Sequence, residues 1–130
     1  MRDQNNLSAR ILIVDDNPLC IKILSRLCSK WGFETVTANN SQQALDTLST
    51  TSIDLVVSDI YIPGMDGLLL SKRIKEISPS TPLILTSGFE AQEIESKNVA
   101  KRPFIQKPYI PSEMHELIVN QLHGKVRKTA

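Results

Sequence analysis

Ile11-Leu12-Ile13-Val14-Asp15-Asp16-Asn17-Pro18 is the stretch on which the fold turns. Its four aliphatic residues lack the polar alternation of a strand wetted on one side, so they read as a parallel strand covered on both faces. The run stops at two acids, and Asn17 with Pro18 offers an N-cap and a first-turn proline. Cys20, Ile23, Leu24, Leu27, Cys28 and Trp31 then recur at helical spacing until Gly32 ends the helix. The unit is a strand, a polar tip and an amphipathic helix.

Outward from that stretch the unit repeats. Glu34 to Ala38 reads as a strand, Ser41 to Leu48 as a helix, and Leu55 to Ser58 as a strand ending in Asp59. After a loop rich in Pro and Gly, Leu68, Leu69, Ile74 and Ile77 pattern a third helix. Leu83 to Leu85 and Phe104 to Gln106 read as the fourth and fifth strands. A helix between them, within Ala91 to Val99, has a thin apolar stripe and is expected to be short. Ser112 is expected to cap the last helix, with Met114, Leu117, Ile118 and Leu122 facing inward. Five strands alternating with helices make a parallel sheet with right-handed crossovers. Residues 1–10 read as a polar lead-in, 11–123 as the domain, and 124–130 as a basic tail carrying Lys125, Arg127 and Lys128.

With 130 residues, the chain suits one domain able to bury about two-thirds of its unfolded surface. Hydrophobic content of 41% with 22% charged residues removes disordered, collagen-like and coiled-coil readings. A net charge of +1 gives no clustered basic excess for duplex binding, so no direct nucleic-acid contact is expected. No apolar run is long enough to cross a bilayer, and a cytoplasmic placement is expected. Cys20 and Cys28 lie on one helix with Cα atoms about 12 Å apart, too far for a disulfide; both are expected as small core hydrophobes. His115 and His123 on the last helix are likewise too far apart for one metal, and solvated surface positions are expected for them.

In such a sheet, ligands sit beyond the carboxyl ends of the strands. Asp15 and Asp16 end the first strand and Asp59 the third, while Ser87 follows the fourth and Lys107 the fifth. Alone, Asp15-Asp16 before Pro18 is explained by the macrodipole at a helix N-terminus, and Asp59 by an ordinary loop. Their convergence with a lysine and a hydroxyl reverses those readings. Three carboxylates in a partly dry cleft repel, and a divalent cation removes that cost, with magnesium favoured by an all-oxygen set. Asp59 could then attack phosphorus as a carboxylate nucleophile, with Lys107 and Ser87 neutralising phosphoryl oxygens.

At these residues the chain resembles a response-regulator receiver domain of two-component signalling. The resemblance is carried by Ile11 to Asn17, by Asp59-Ile60-Tyr61-Ile62-Pro63-Gly64-Met65-Asp66-Gly67, by Leu85-Thr86-Ser87-Gly88, and by Phe104-Ile105-Gln106-Lys107-Pro108-Tyr109. It implies a flavodoxin-like, doubly wound sheet in order 2-1-3-4-5 flanked by five helices. Asp59 would be the phosphoacceptor; Asp16, Asp59 and the Tyr61 carbonyl would bind Mg2+ directly and Asp15 through water. Ser87 and Lys107 would bind the phosphoryl group, Phe104 would be the switch aromatic that follows Ser87, and the Lys107-Pro108 bond would be cis. Tyr61 and Phe89 would control the approach of water; both are aromatic, so slow loss of phosphate is expected. Ile62, Gly88, Phe104 and Tyr109 replace the residues more usual in the family, and none removes a required functional group.

The resemblance also implies partners: a histidine kinase or phosphotransfer protein as donor, a downstream protein target or output domain, and a phosphorylation-dependent homodimer. It makes the chain a signalling phosphoacceptor rather than an enzyme. Two rivals remain in view. A haloacid-dehalogenase-like phosphatase would need a second acid where Asn17 stands and a hydroxyl where Leu19 stands. A pseudo-receiver that only binds partners would not need Asp16, Asp59 and Lys107 intact.

Overall fold

The computed structural model describes residues 9–60, 64, 67–87 and 103–129. The first strand, β1 (Arg10–Val14), is followed by α1 (Pro18–Lys30), β2 (Glu34–Ala38), α2 (Ser41–Thr50) and β3 (Leu55–Asp59). Then come α3 (Gly67–Ile77), β4 (Leu83–Ser87), β5 (Phe104–Gln106) and α4 (Pro111–Thr129). The helix expected within Ala91 to Val99 lies outside the described residues. All strands pair in parallel, in the order β2-β1-β3-β4-β5.

The unalternating strands are explained by two cores. Ile11, Ile13, Leu55, Val57 and Ile84 pack with Leu24 and Cys28 of α1 and with Met114 and Ile118 of α4. On the other sheet face, Leu12, Val14 and Val56 pack with Ala44 of α2 and with Leu70 and Ile74 of α3. Each side chain from Ile11 to Val14 therefore meets a helix whichever way it points, which is why this part of β1 carries no polar residue before its tip.

Local chemistry fixes the helix ends. Asn17 Oδ1 accepts hydrogen bonds from the N–H groups of Leu19 and Cys20, with Pro18 at the first helical position. At the other end Phe33 N–H bonds to Cys28 O and Gly32 N–H to Ser29 O, the doubled closure of a Schellman motif. Gly32 supplies the positive φ of 91° that this closure needs.

Several sequence expectations are corrected. On α3, Leu70 takes the inner position with Ile74, while Leu69 and Ile77 are 43% and 47% exposed. Ile23 of α1 is also exposed, and Cys20 is only half-buried, whereas Cys28 is core; both thiols are free. The last helix starts at Pro111, so Ser112 lies inside its first turn, and Met114 N–H bonds to Ile110 O. α4 also continues past Gly124 to Thr129, and β1 takes in Arg10, whose N–H bonds to Asp54 Oδ2.

His115 departs furthest from expectation. Its ring stacks on Trp31, with centroids 4.5 Å apart and planes 17° from parallel, clasping the end of α1 to α4; His123 is exposed as expected. Such a pair is worth about 1 kcal/mol beyond its burial. His115→Ala should lower stability by about that amount and shift emission of the single tryptophan to the red as Trp31 gains solvent. Denaturant unfolding and a fluorescence spectrum check this, and an unshifted spectrum contradicts it.

Candidate functional site

Strand register brings the polar tips together. Val14 pairs with Ala38 and with Ser58, so Asp15 and Asp59 emerge side by side one residue later. Asp59 pairs with Thr86, and Ser87 with Gln106, which places Ser87 and Lys107 at the same edge. Backbone bonds continue past the strands: Asp15 N–H to Ala38 O, Ile60 N–H to Thr86 O, and Lys107 N–H to Ser87 O at 2.8 Å. The tips are thus held by the ladders that form the sheet.

Lys107 reaches back into the acids. Its ammonium donates to Asp15 Oδ2 at 2.8 Å and to Asp59 Oδ2 at 3.1 Å. Burial works to lower the lysine pKa, but the hydrogen bonds and charges of Asp15 and Asp59 together outweigh it and hold the ammonium well above its ordinary value. Asp15 and Asp59 are 2% and 8% exposed, whereas Asp16 faces solvent. Asp15 also accepts from Asn17 N–H at 2.9 Å, so the helix start orients the carboxylate beneath the cleft. The Lys107-Pro108 bond is cis, as expected.

Asp15, Asp16 and Asp59 each offer a carboxylate oxygen, all within 4.8 Å of one another. Among the described residues three formal negative charges face one ammonium, which leaves an excess that a hard divalent cation fits in charge and in donor type. The expected fourth ligand, the Tyr61 carbonyl, lies outside the described residues, as does Phe89. Ser87 is fully buried at the edge. Phe104 is half-buried on the sheet face shared by Leu85 and Ile60, and strand alternation places Ser87 on that face too.

Two further features carried no signal strong enough to be read from the chain. Gly64, with φ of 103°, seats against Ser41 at the start of α2; a Cβ there would overlap the serine side chain. Thr86 is buried, and Tyr109 packs against the core that holds Ile84 of the same strand. Asn17, the position where a dehalogenase-like phosphatase needs its second acid, is committed to capping α1.

Comparison with known proteins agrees with this geometry. Residues 11–119 match the response regulator receiver domain family. Sporulation initiation phosphotransferase F of Bacillus subtilis is 32% identical over 118 residues, which cover 89% of this chain and 95% of that protein. The autoinducer 1 sensor kinase/phosphatase LuxN of Vibrio harveyi is 29% identical over 97% of this chain, which spans only 15% of that relative's length. The signal receiver domain of an HD domain-containing protein from Pseudomonas fluorescens Pf-5 superposes with a TM-score of 0.86 at 28% identity, over 94% of this chain and 92% of that one. With its parallel five-stranded sheet and the acids gathered at its carboxyl edge, the chain belongs to the receiver domain family of two-component response regulators.

Proposed function

We propose that Asp59 accepts a phosphoryl group from a phosphohistidine of a histidine kinase or phosphotransfer protein, and that the modified domain changes its protein contacts. The observation that carries this reading is the placement of Asp59 among two further acids with Lys107 ion-paired to it. A carboxylate oxygen of Asp59 attacks phosphorus, the O–P bond forms as the P–N bond breaks, and the imidazole leaves as a neutral ring after taking up a proton. No base is required, because a carboxylate is already ionised at neutral pH. Asp15, Asp16 and Asp59 would hold Mg2+, with the Tyr61 carbonyl completing the set; bound there, the ion would neutralise charge on the transferring group. Lys107 binds one phosphoryl oxygen and the Ser87 hydroxyl another.

The shared sheet face of Ser87 and Phe104 supports the switch: as Ser87 moves toward the phosphoryl group, Phe104 turns into the space it leaves. The phosphoryl group comes from the partner, so the chain is a phosphoacceptor that assists its own modification rather than an enzyme with a separate substrate. Slow hydrolysis, governed by Tyr61 and Phe89, belongs to the same proposal. So do a domain spanning residues 11–123, a phosphorylation-dependent homodimer, a downstream target or output domain, and a cytoplasmic setting. No described helix is long and apolar enough to cross a membrane.

The test is incubation of the full chain with magnesium and phosphoramidate, followed by intact-mass measurement and peptide mapping. One phosphoryl group on Asp59, absent from Asp59→Asn, is the expected result. No added mass, with relatives phosphorylated in parallel, overturns it in favour of a pseudo-receiver.

A further inference from the structure

The Thr86 hydroxyl is a buried polar group that the proposed mechanism does not use. Thr86 is 1% exposed, and its Oγ1 makes no hydrogen bond among the described residues. Strand alternation puts it on the sheet face of Ile84, opposite Ser87, and Tyr109 packs against that same face. Buried hydroxyls are rarely left unmatched. The group nearest in chemistry is the Tyr109 phenol. Burial pushes that phenol up to about 12, with the Thr86 hydroxyl and the Lys107 charge acting in the opposite direction. It therefore stays protonated and able to donate across the physiological range.

We propose that Thr86 and Tyr109 form a buried hydroxyl pair that positions Lys107. This rests on the reading of Lys107 as a phosphoryl-binding group. Lys107 N–H already bonds to Ser87 O. A Tyr109 to Thr86 contact ties the turn a second time, to the preceding residue of the same strand and from the other end of the Lys107-Pro108-Tyr109 segment. One tie leaves the turn free to pivot about Ser87; two fix its orientation. The lysine stem between them then projects toward Asp15 and Asp59 instead of into solvent. Tyr109 is thus a positioning residue, and β4 sets both phosphoryl-binding groups: Ser87 directly, and Lys107 through Thr86.

Tyr109→Phe and Thr86→Val remove one hydroxyl each at nearly constant volume. Each should slow phosphate uptake at saturating phosphoramidate by about threefold to tenfold, the size of one neutral hydrogen bond. The half-saturating donor concentration should stay unchanged, and the double variant should be no slower than the worse single one. In the metal-free, unphosphorylated protein, the Lys107 Cε–Hε NMR signal should move in both variants, which a purely structural loss would not cause. Wild-type uptake in both variants, additive losses, or an unmoved Lys107 signal overturns the pair. If the wild type itself takes up no phosphate, the reading of Asp59 fails separately, and the Lys107 signal still decides this inference.

Discussion

Replacing Lys107 by alanine is expected to lower phosphate uptake by about a hundredfold to a thousandfold, the usual cost of losing a preorganised charge at a transferring group. The same substitution should destabilise the metal-free protein. Lys107 is 17% exposed in its side chain and is ion-paired to two carboxylates. Removing one member of a fully buried pair costs about 3–5 kcal/mol, and the partial exposure here reduces the expectation to about 2 kcal/mol. The lysine pKa is raised in the folded state. Its contribution to stability is therefore fully present below the ordinary lysine value and is lost only as pH rises through the folded one. At neutral pH the whole effect is available to be lost.

Lys107 and a divalent cation neutralise the same acids, so the variant should bind magnesium more tightly than the wild type, and magnesium should restore more of its stability. Thermal melts in chelator and in magnesium, with calorimetry for affinity, give the answer. A variant as stable as wild type in chelator, or weaker in metal affinity, would show that Lys107 does not balance these charges.

What the chain disclosed in advance, and what it did not, follows from how local each signal is. β1 was readable because Ile11 to Val14 carries no polar residue, and that pattern has one physical cause: burial on both faces. The gathering of these polar residues was readable because parallel strands end at one edge, so the residues at or just past the strand ends are already placed near one another. The inner face of α3 was not. Leu69 and Leu70 are adjacent, and only packing of Leu70 with Ile74 against α2 and the sheet decides between them. The Trp31–His115 stack joins residues from α1 and α4 that no periodicity connects. Residues 124–130 read as a basic tail, but the single glycine at its start costs a helix only about 1 kcal/mol, and α4 continues through Gly124 to Thr129.

Gly64→Ala should be the most damaging single-methyl change at the site. Gly64 lies in the segment that follows Asp59 and leads into α3. Its φ of 103° is one that residues with a Cβ rarely adopt, which costs about 1–3 kcal/mol. The added methyl would also overlap the Ser41 side chain, and Ser41 is buried at the start of α2 with little room to retreat. Relief must then come from moving the segment away from α2. That shifts the backbone at Gly64, five residues past Asp59, and near a reacting group a shift of about 1 Å can cost a hundredfold in rate. The expected result is a stability loss of about 2–4 kcal/mol and phosphate uptake at least about tenfold slower. Ser41→Ala separates the two causes: it removes the hydroxyl that the new methyl meets but leaves the backbone angle untouched. The double variant should therefore regain most of the uptake and only part of the stability. If Gly64→Ala melts and accepts phosphate like the wild type, the seating of Gly64 against Ser41 does not control Asp59. If Ser41→Ala restores neither property, the backbone angle alone sets the cost.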